Sequence, residues 1–162
     1  MPHAYSDEDG VFLAKLARNT VDQYVTHKIK PEPPEVVSDR LKAKSGVFVT
    51  LNVMTGDHVS LRGCIGRPYP NQPLIQATID SAIDSAAHDP RFPPVSPKEL
   101  DSILLEISVL TPPEKIEYLE PEELLNHVKV GRDGLIAMRD MWRGLLLPKV
   151  PVEWKWNKKE FL

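Results

Sequence analysis

The sequence has a single cysteine, Cys64, among its 162 residues. An internal disulfide and a metal site built from cysteines alone are therefore excluded, and one free thiol is typical of a reducing compartment. The chain also lacks any apolar run near the ~18 residues that a membrane span needs, and its first residues lack the apolar stretch of a secretory signal. We therefore expect a cytoplasmic protein that has no membrane partner.

A strong charge of either sign is also absent. Lys and Arg number 20 against 23 Asp and Glu, which gives a net charge of -3 and a pI near 6.0. Nucleic-acid-binding proteins are usually basic, so the composition argues against nucleic acid as a partner. Residues 129–162 do carry an excess of Lys and Arg together with the three tryptophans. Those rings could stack on bases, although tryptophans more often serve in packing.

The common motifs for nucleotide binding and hydrolysis are missing. There is no Gly-x-Gly-x-x-Gly, no P-loop and no Gly-x-Ser-x-Gly. No metal site is predicted, because the spacing of the other histidines does not match a ligand set: His3, His27, His58 and His127. Any chemistry must therefore come from side chains that the fold brings together.

Apolar periodicity predicts an α+β fold with one core. Helical spacing predicts helices over 7–27 and from Pro73 to about Ala86, and strict alternation predicts a hairpin of strands over 46–53 and 58–65. An apolar strand is expected over 102–110. Further along, a short helix (122–128), three short strands (128–130, 135–138 and 144–147) and a helix capped by Asn157 are expected.

The stretch Arg62-Gly63-Cys64-Ile65-Gly66 is the first candidate site. Glycine within a strand usually marks a bulge or the close approach of another backbone, here on both sides of the cysteine. On a regular strand Arg62 and Cys64 share one face, and a guanidinium there would stabilise a thiolate. The alternative is that Cys64 is a small buried apolar residue, which is the commoner fate of a free cysteine.

The second candidate site is the stretch from His88 to Val95. His88 could act as a base with Asp89 orienting it, and Arg91 could bind a ligand. The prolines at 90, 93 and 94 exclude regular structure and predict a rigid loop packed against the cysteine hairpin. The competing interpretation, which we favour for Asp89, is that this residue stabilises the helix end or the proline turn.

Glu106 is the third candidate, because it interrupts an apolar strand. Carboxylates are almost never fully buried unless they are paired, and Arg62 or Arg91 is the expected partner. Alternation places Leu105 and Ile107 towards the core and Glu106 on the opposite face. A face open to solvent would explain the glutamate equally well.

At these residues the sequence resembles the AMMECR family. The hexapeptide 61–66, Leu-Arg-Gly-Cys-Ile-Gly, is similar to the family's signature, and further blocks follow in the family's order: 13–18, 86–95, 105–110, 131–136 and 144–148. The resemblance implies one domain over 1–162, with an antiparallel sheet flanked by helices, a smaller packed subdomain, and the cysteine motif in a cleft between them. The family usually continues beyond Leu162, so the resemblance also predicts a truncated C-terminus.

Three functions are therefore predicted, in this order. The first is a small-molecule or thiol-dependent catalytic cleft, with Cys64, His88 and Glu106 as catalytic residues and with these ligand-binding residues: Arg62, Gly63, Gly66, Asp89 and Arg91. The second, implied by the resemblance alone, is an accessory protein that binds a Memo-like or radical S-adenosylmethionine partner. The third is RNA binding. Neither the residues nor the resemblance specifies a reaction or a cofactor.

Overall fold

Two long helices and a three-stranded antiparallel sheet build the first part of the chain. The computed structural model describes residues 5–35 and 38–162, and the chain divides into two units, Met1–Pro112 and Pro113–Leu162. The first unit contains α1 (Asp7–His27), α2 (Asp39–Lys42), β1 (Gly46–Thr55), β2 (His58–Arg67), α3 (Leu74–Ala87) and β3 (Ile103–Leu110). A 3-10 helix, Pro97–Ser102, precedes β3. The α+β fold predicted from the sequence is confirmed.

Helix α1 has the predicted bounds because its start is capped locally. The Ser6 hydroxyl accepts the main-chain N–H of Asp9 at 3.2 Å, and the Asp9 carboxylate accepts the N–H of Ser6 at 3.0 Å. This reciprocal pair satisfies two donors that the first turn would otherwise leave unpaired. At the other end Lys28 adopts a left-handed conformation that ends the helix.

The core lies between one face of the sheet and helices α1 and α3. The sheet has the strand order β2-β1-β3. Val49 and Leu51 of β1 are fully buried, and they pack with apolar residues of both helices: Ala17, Val21, Ala82 and Ala86. Leu105 and Ile107 of β3 pack against the same cluster, as the alternation predicts. The even-numbered residues of β1 and β3 therefore lie on the opposite face.

Strand β2 is an edge strand and contains an irregularity beside the cysteine. Leu51 pairs with Gly63 and Asn52 pairs with Leu61, so Arg62 has no partner of its own in the β1 register. One extra residue on one strand is a β-bulge, which increases the local twist and redirects a side chain. The two-residue spacing from Arg62 to Cys64 therefore does not follow regular strand alternation.

The second unit contains short elements. These are a 3-10 turn (Pro121–Glu123), α4 (Leu124–His127), β4 (Leu135–Arg139), β5 (Trp142–Leu146), α5 (Lys149–Glu153) and α6 (Lys158–Phe161). Strands β4 and β5 form an antiparallel hairpin. Asn157 caps α6 as predicted, since its side chain accepts the N–H groups of Lys159 and Glu160.

The strand predicted over 128–130 is wrong. The Lys129 carbonyl instead accepts the N–H groups of Arg132 and Asp133, which folds this stretch into a turn. Among the residues described, 5–35 and 38–162, no helix is long and apolar enough to cross a membrane.

Candidate functional site

The loop after α3 lies along the free edge of β2 at Cys64. The main-chain N–H of Cys64 donates to Asp89 Oδ2 at 2.8 Å, and Arg91 Nη2 donates to the Cys64 carbonyl at 3.1 Å. Both main-chain groups of an edge-strand residue, which would otherwise face outwards, are therefore bonded. We call the Asp89–Arg91 pair the cysteine clamp. The predicted packing of this loop against the cysteine hairpin is confirmed.

Asp89 is the buried member of the clamp. Only 2% of its side chain is exposed, against 53% for Arg91. Its Oδ1 accepts the N–H and Nε–H of Arg91, and its Oδ2 accepts Nη2–H at 2.7 Å. The side-chain bond from Arg91 outweighs the effect of burial and, with the main-chain bonds from Cys64 and Arg91, lowers the Asp89 pKa to about 2. Asp89 thus stabilises its own turn and also holds the cysteine strand.

Arg62 is held by Glu99 instead of Glu106. Arg62 Nε lies 2.7 Å from Glu99 Oε1, Nη2 lies 3.3 Å from Oε2, and Nη1 donates to the Pro93 carbonyl at 2.9 Å. The bond from Arg62 is the main cause that lowers the Glu99 pKa to about 2. Glu106 is an exposed residue of β3. Of the two interpretations of Glu106, the structure agrees with the exposed one: burial does not force a pair with Arg62 or Arg91, which are held by Glu99 and Asp89.

The two glycines of the motif permit close packing. A methyl group on Gly63 would overlap the Ser85 carbonyl oxygen, and one on Gly66 would overlap the Phe48 ring. Ser85 also bonds directly to the sheet, because its hydroxyl accepts the Ile65 N–H at 2.8 Å and donates to the Val49 carbonyl at 2.7 Å. The close approach predicted at the glycines is therefore to a helix and a ring of the same unit. Their ligand-binding role stays a prediction.

The thiol lies on the sheet face opposite α1 and α3. Cys64 is half-buried, and its Sγ lies 3.3 Å from the hydroxyl oxygen of Thr50. Thr50 pairs with Cys64 on one side and with Glu106 on the other, so the three residues form one row across the sheet. We call these three residues the cysteine row. Thr50 was missed from the sequence, although alternation along β1 places it on the face away from the core.

His88 belongs to a different group of residues. Its Nδ1 lies 2.9 Å from Asp84 Oδ1, and Asp84 Oδ2 lies 2.8 Å from Arg67 Nη2. Of the two interpretations of Asp89, the favoured one, that it stabilises the proline turn, is confirmed, and the alternative that it orients His88 is wrong, because the Asp89 oxygens are bonded to Cys64 and Arg91. Asp84 lies one helical turn before His88 on α3, a spacing that could have indicated the pair. The edge of the His88 ring also meets Tyr24, with 6.3 Å between ring centroids.

Comparisons with known proteins identify the family of this chain. The sequence profile of the AMMECR1 family matches residues 14–162. The chain belongs to the AMMECR1 family. A protein of Thermococcus gammatolerans is 54% identical over 157 residues, which covers 96% of this chain and 76% of that protein. One of Thermofilum pendens is 48% identical over 163 residues, which covers 97% of this chain and 76% of that protein.

A solved AMMECR1-like structure has the same fold. The crystal structure of the uncharacterized protein PH0010 from Pyrococcus horikoshii superposes with a TM-score of 0.92 at 51% identity, over 98% of this chain and 78% of that one. Family membership thus supports the architecture.

The metal-ligating side chains of the described residues are dispersed. Within 5–35 and 38–162, no three His, Cys, Asp or Glu side chains are grouped so that they could hold an ion. His3 lies outside those residues. Around Cys64 the carboxylates of Asp89 and Glu99 are bonded to guanidinium groups.

Proposed function

We propose that this AMMECR1 protein binds a small molecule in a cleft lined by the cysteine row, and that the Cys64 thiol adds to a double-bonded electrophilic carbon of that molecule: the C–S bond forms as the π bond and the S–H bond break, and the thiol proton passes to the row. The observation that carries the proposal is the fixed position of Cys64. Its N–H and carbonyl are both held by the cysteine clamp, while its Sγ lies beside Thr50 on the sheet face away from α1 and α3. A nucleophile held in one geometry has a smaller entropic barrier to reaction.

Each residue of the cysteine row has its own role in the proposed reaction. Thr50 Oγ1, 3.3 Å from Sγ, holds the thiol proton or orients the sulfur. Glu106 pairs with Thr50 on the next strand, two strand spacings or roughly 10 Å from Cys64, so it accepts the thiol proton only through a relay that includes the Thr50 hydroxyl. Arg91, half of whose side chain is exposed, adds positive charge close to the thiolate. His88 faces the helix side with Asp84 and has no part in this proposal.

Alkylation of the native protein tests the proposal directly. Because Cys64 is the single cysteine, the mass gained with iodoacetamide reports on this thiol alone. We expect stoichiometric alkylation of the folded protein, and a several-fold change in its rate in the Thr50→Val variant, which loses the hydroxyl and keeps the shape. Thr78→Val is the matched control, because Thr78 is also buried but bonds to the Leu74 carbonyl within α3.

Two results would contradict the proposal. The first is alkylation that requires unfolding of the protein. The second is an unchanged rate in both Thr50→Val and Glu106→Gln. Either result would leave the accessory role, which rests on family resemblance, as the better prediction, since a protein that only binds a Memo-like or radical S-adenosylmethionine partner needs no reactive thiol.

A further inference from the structure

A depression lies on the helix side of the sheet. It has a volume of about 390 Å³ and is lined by Tyr24, Lys30, Arg67, Asp80, Ile83 and Asp84. Arg67 alternates with Gly66 along β2 and points to α3, where its Nη1 donates to the Ser81 hydroxyl at 2.9 Å. The depression, which we call the helix groove, is therefore separated from the cysteine row by the sheet. The proposed reaction at Cys64 makes no use of its residues.

Asp80 is the least exposed of the charged residues that line the helix groove. Two neutral side-chain amides donate hydrogen bonds to it. Its carboxylate accepts Gln76 Nε2–H at 2.9 Å and Gln72 Nε2–H at 3.0 Å, and only 17% of its side chain is exposed. Burial acts to raise its pKa, but hydrogen bonds from Lys30, Gln72 and Gln76 outweigh burial, so the pKa is lowered. Asp80 is therefore a fixed negative charge at neutral pH.

The ammonium group on Asp80 comes from an exposed and irregular part of the chain. Lys30 Nζ lies 2.7 Å from Asp80 Oδ1, although 54% of the Lys30 side chain is exposed. Residues 28–34 have no regular secondary structure, and a lysine side chain loses much rotamer freedom when it is held in one position. A single contact from a flexible, half-exposed ammonium contributes less to stability than the several bonds of a guanidinium fork. Lys30 is thus a displaceable occupant of a site that suits a primary ammonium.

The other charges of the groove are held from more than one side. Arg67 bonds to both Ser81 and Asp84, and Asp84 bonds to both Arg67 and His88. Turning Arg67 towards an incoming anion would leave Asp84 with less compensation, whereas replacing Lys30 by another ammonium preserves every charge pair. The groove therefore favours a cationic ligand over an anionic one.

We propose that the helix groove binds a small molecule that carries a primary ammonium on a short aliphatic chain. The ligand's ammonium replaces that of Lys30 on Asp80 and keeps the amide bonds from Gln72 and Gln76 in place. Its chain lies against Ile83 and the ring of Tyr24. That ring already attracts a cation, since Lys28 Nζ lies 5.4 Å from its centroid.

Titration with n-pentylamine, followed through the side-chain amide NMR signals of Gln72 and Gln76, tests this proposal. We expect saturable shifts of both signals in the whole chain. Lys30→Ala should tighten binding about two- to fivefold, because it removes an internal competitor of the strength of an exposed ion pair. Lys98→Ala removes a charge from another exposed residue of the same unit and should leave the affinity unchanged. Asp80→Asn should abolish the shifts.

Glutarate and tetramethylammonium complete the test. Neither should shift the two amide signals, since glutarate has the wrong charge and tetramethylammonium has no N–H to donate. The proposal is overturned if pentylamine causes no saturable shift at millimolar concentration, if glutarate binds instead, or if Lys30→Ala weakens amine binding. Lys30 is an exposed coil residue, so its variant decides the question even if Asp80→Asn does not fold.

Discussion

The cysteine clamp and the helix groove both pair a carboxylate with a cation, but they differ in how the cation is held. In the clamp, Arg91 makes three bonds to an almost fully buried Asp89 and a fourth to the Cys64 carbonyl. In the groove, Lys30 makes one contact to Asp80, which two neutral amides also hold. A fork of donors in fixed geometry stabilises structure, whereas a single flexible ammonium leaves room for exchange.

Replacing the cation of each pair by alanine should give the largest difference in the free energy of unfolding. Arg91→Ala leaves the buried Asp89 carboxylate with only main-chain donors. We expect the free energy of unfolding to fall by about 2–3 kcal/mol. This is less than the ~3–5 kcal/mol for breaking a fully buried pair, because Arg91 is half-exposed. Lys30→Ala should change the free energy of unfolding by less than about 1 kcal/mol. Urea denaturation of the two variants measures both values. Equal losses would remove the distinction between the two pairs.

Low pH should weaken the two ion pairs near Cys64, Asp89–Arg91 and Glu99–Arg62. The folded pKa values of Asp89 and Glu99 are about 2, against ordinary values of 3.8 and 4.5. A lowered carboxyl pKa stabilises the fold above the unfolded value, and this stability is lost as the pH falls from about 4.5 towards 2. Thermal unfolding should therefore show a loss on the order of 2 kcal/mol over that range, after allowance for the partly exposed Glu99.

The Asp89→Asn and Glu99→Gln double variant provides the control for the acid experiment. It carries no charge at either position, so its stability should depend less steeply on pH between 4.5 and 2. A slope as steep as that of the unchanged protein would assign the acid sensitivity to other carboxylates.

Gly63→Ala tests how closely α3 approaches the cysteine strand. The added methyl would overlap the Ser85 carbonyl, which is main chain and cannot rotate away, so we expect a loss of about 2 kcal/mol from overpacking. Gly10→Ala is the matched control, because a methyl group there meets nothing within 4 Å. Since the substitution replaces a glycine within a helix, it should raise the free energy of unfolding by about 0.5–1 kcal/mol. A tolerated Gly63→Ala would show that the helix can withdraw from the strand.

Partner choice was the part of the site that pattern reasoning predicted least well. Arg62 was expected to share a face with Cys64 and to bind Glu106, but the bulge opposite Leu51 and Asn52 breaks the alternation on which that inference depends. For His88 the sequence offers its neighbour Asp89 as one possible partner, whereas the partner in the structure is Asp84, four residues earlier. Thr50 was overlooked because its closeness to Cys64 depends on the β1–β2 register.

The sequence by itself determined the local features of this protein, such as its helix caps and strand alternation. The capping box of Ser6, the cap of Asn157 and the alternation of β1 each depend on bonds or packing directions within a few residues, so their patterns are visible along the chain. The prolines of 89–95 likewise predict a rigid loop. Only the tertiary structure decided that Glu99 meets Arg62 across 37 residues and that Lys30 reaches Asp80. Those pairs depend on a bulge, a register and a helix packing distance, which no short pattern encodes.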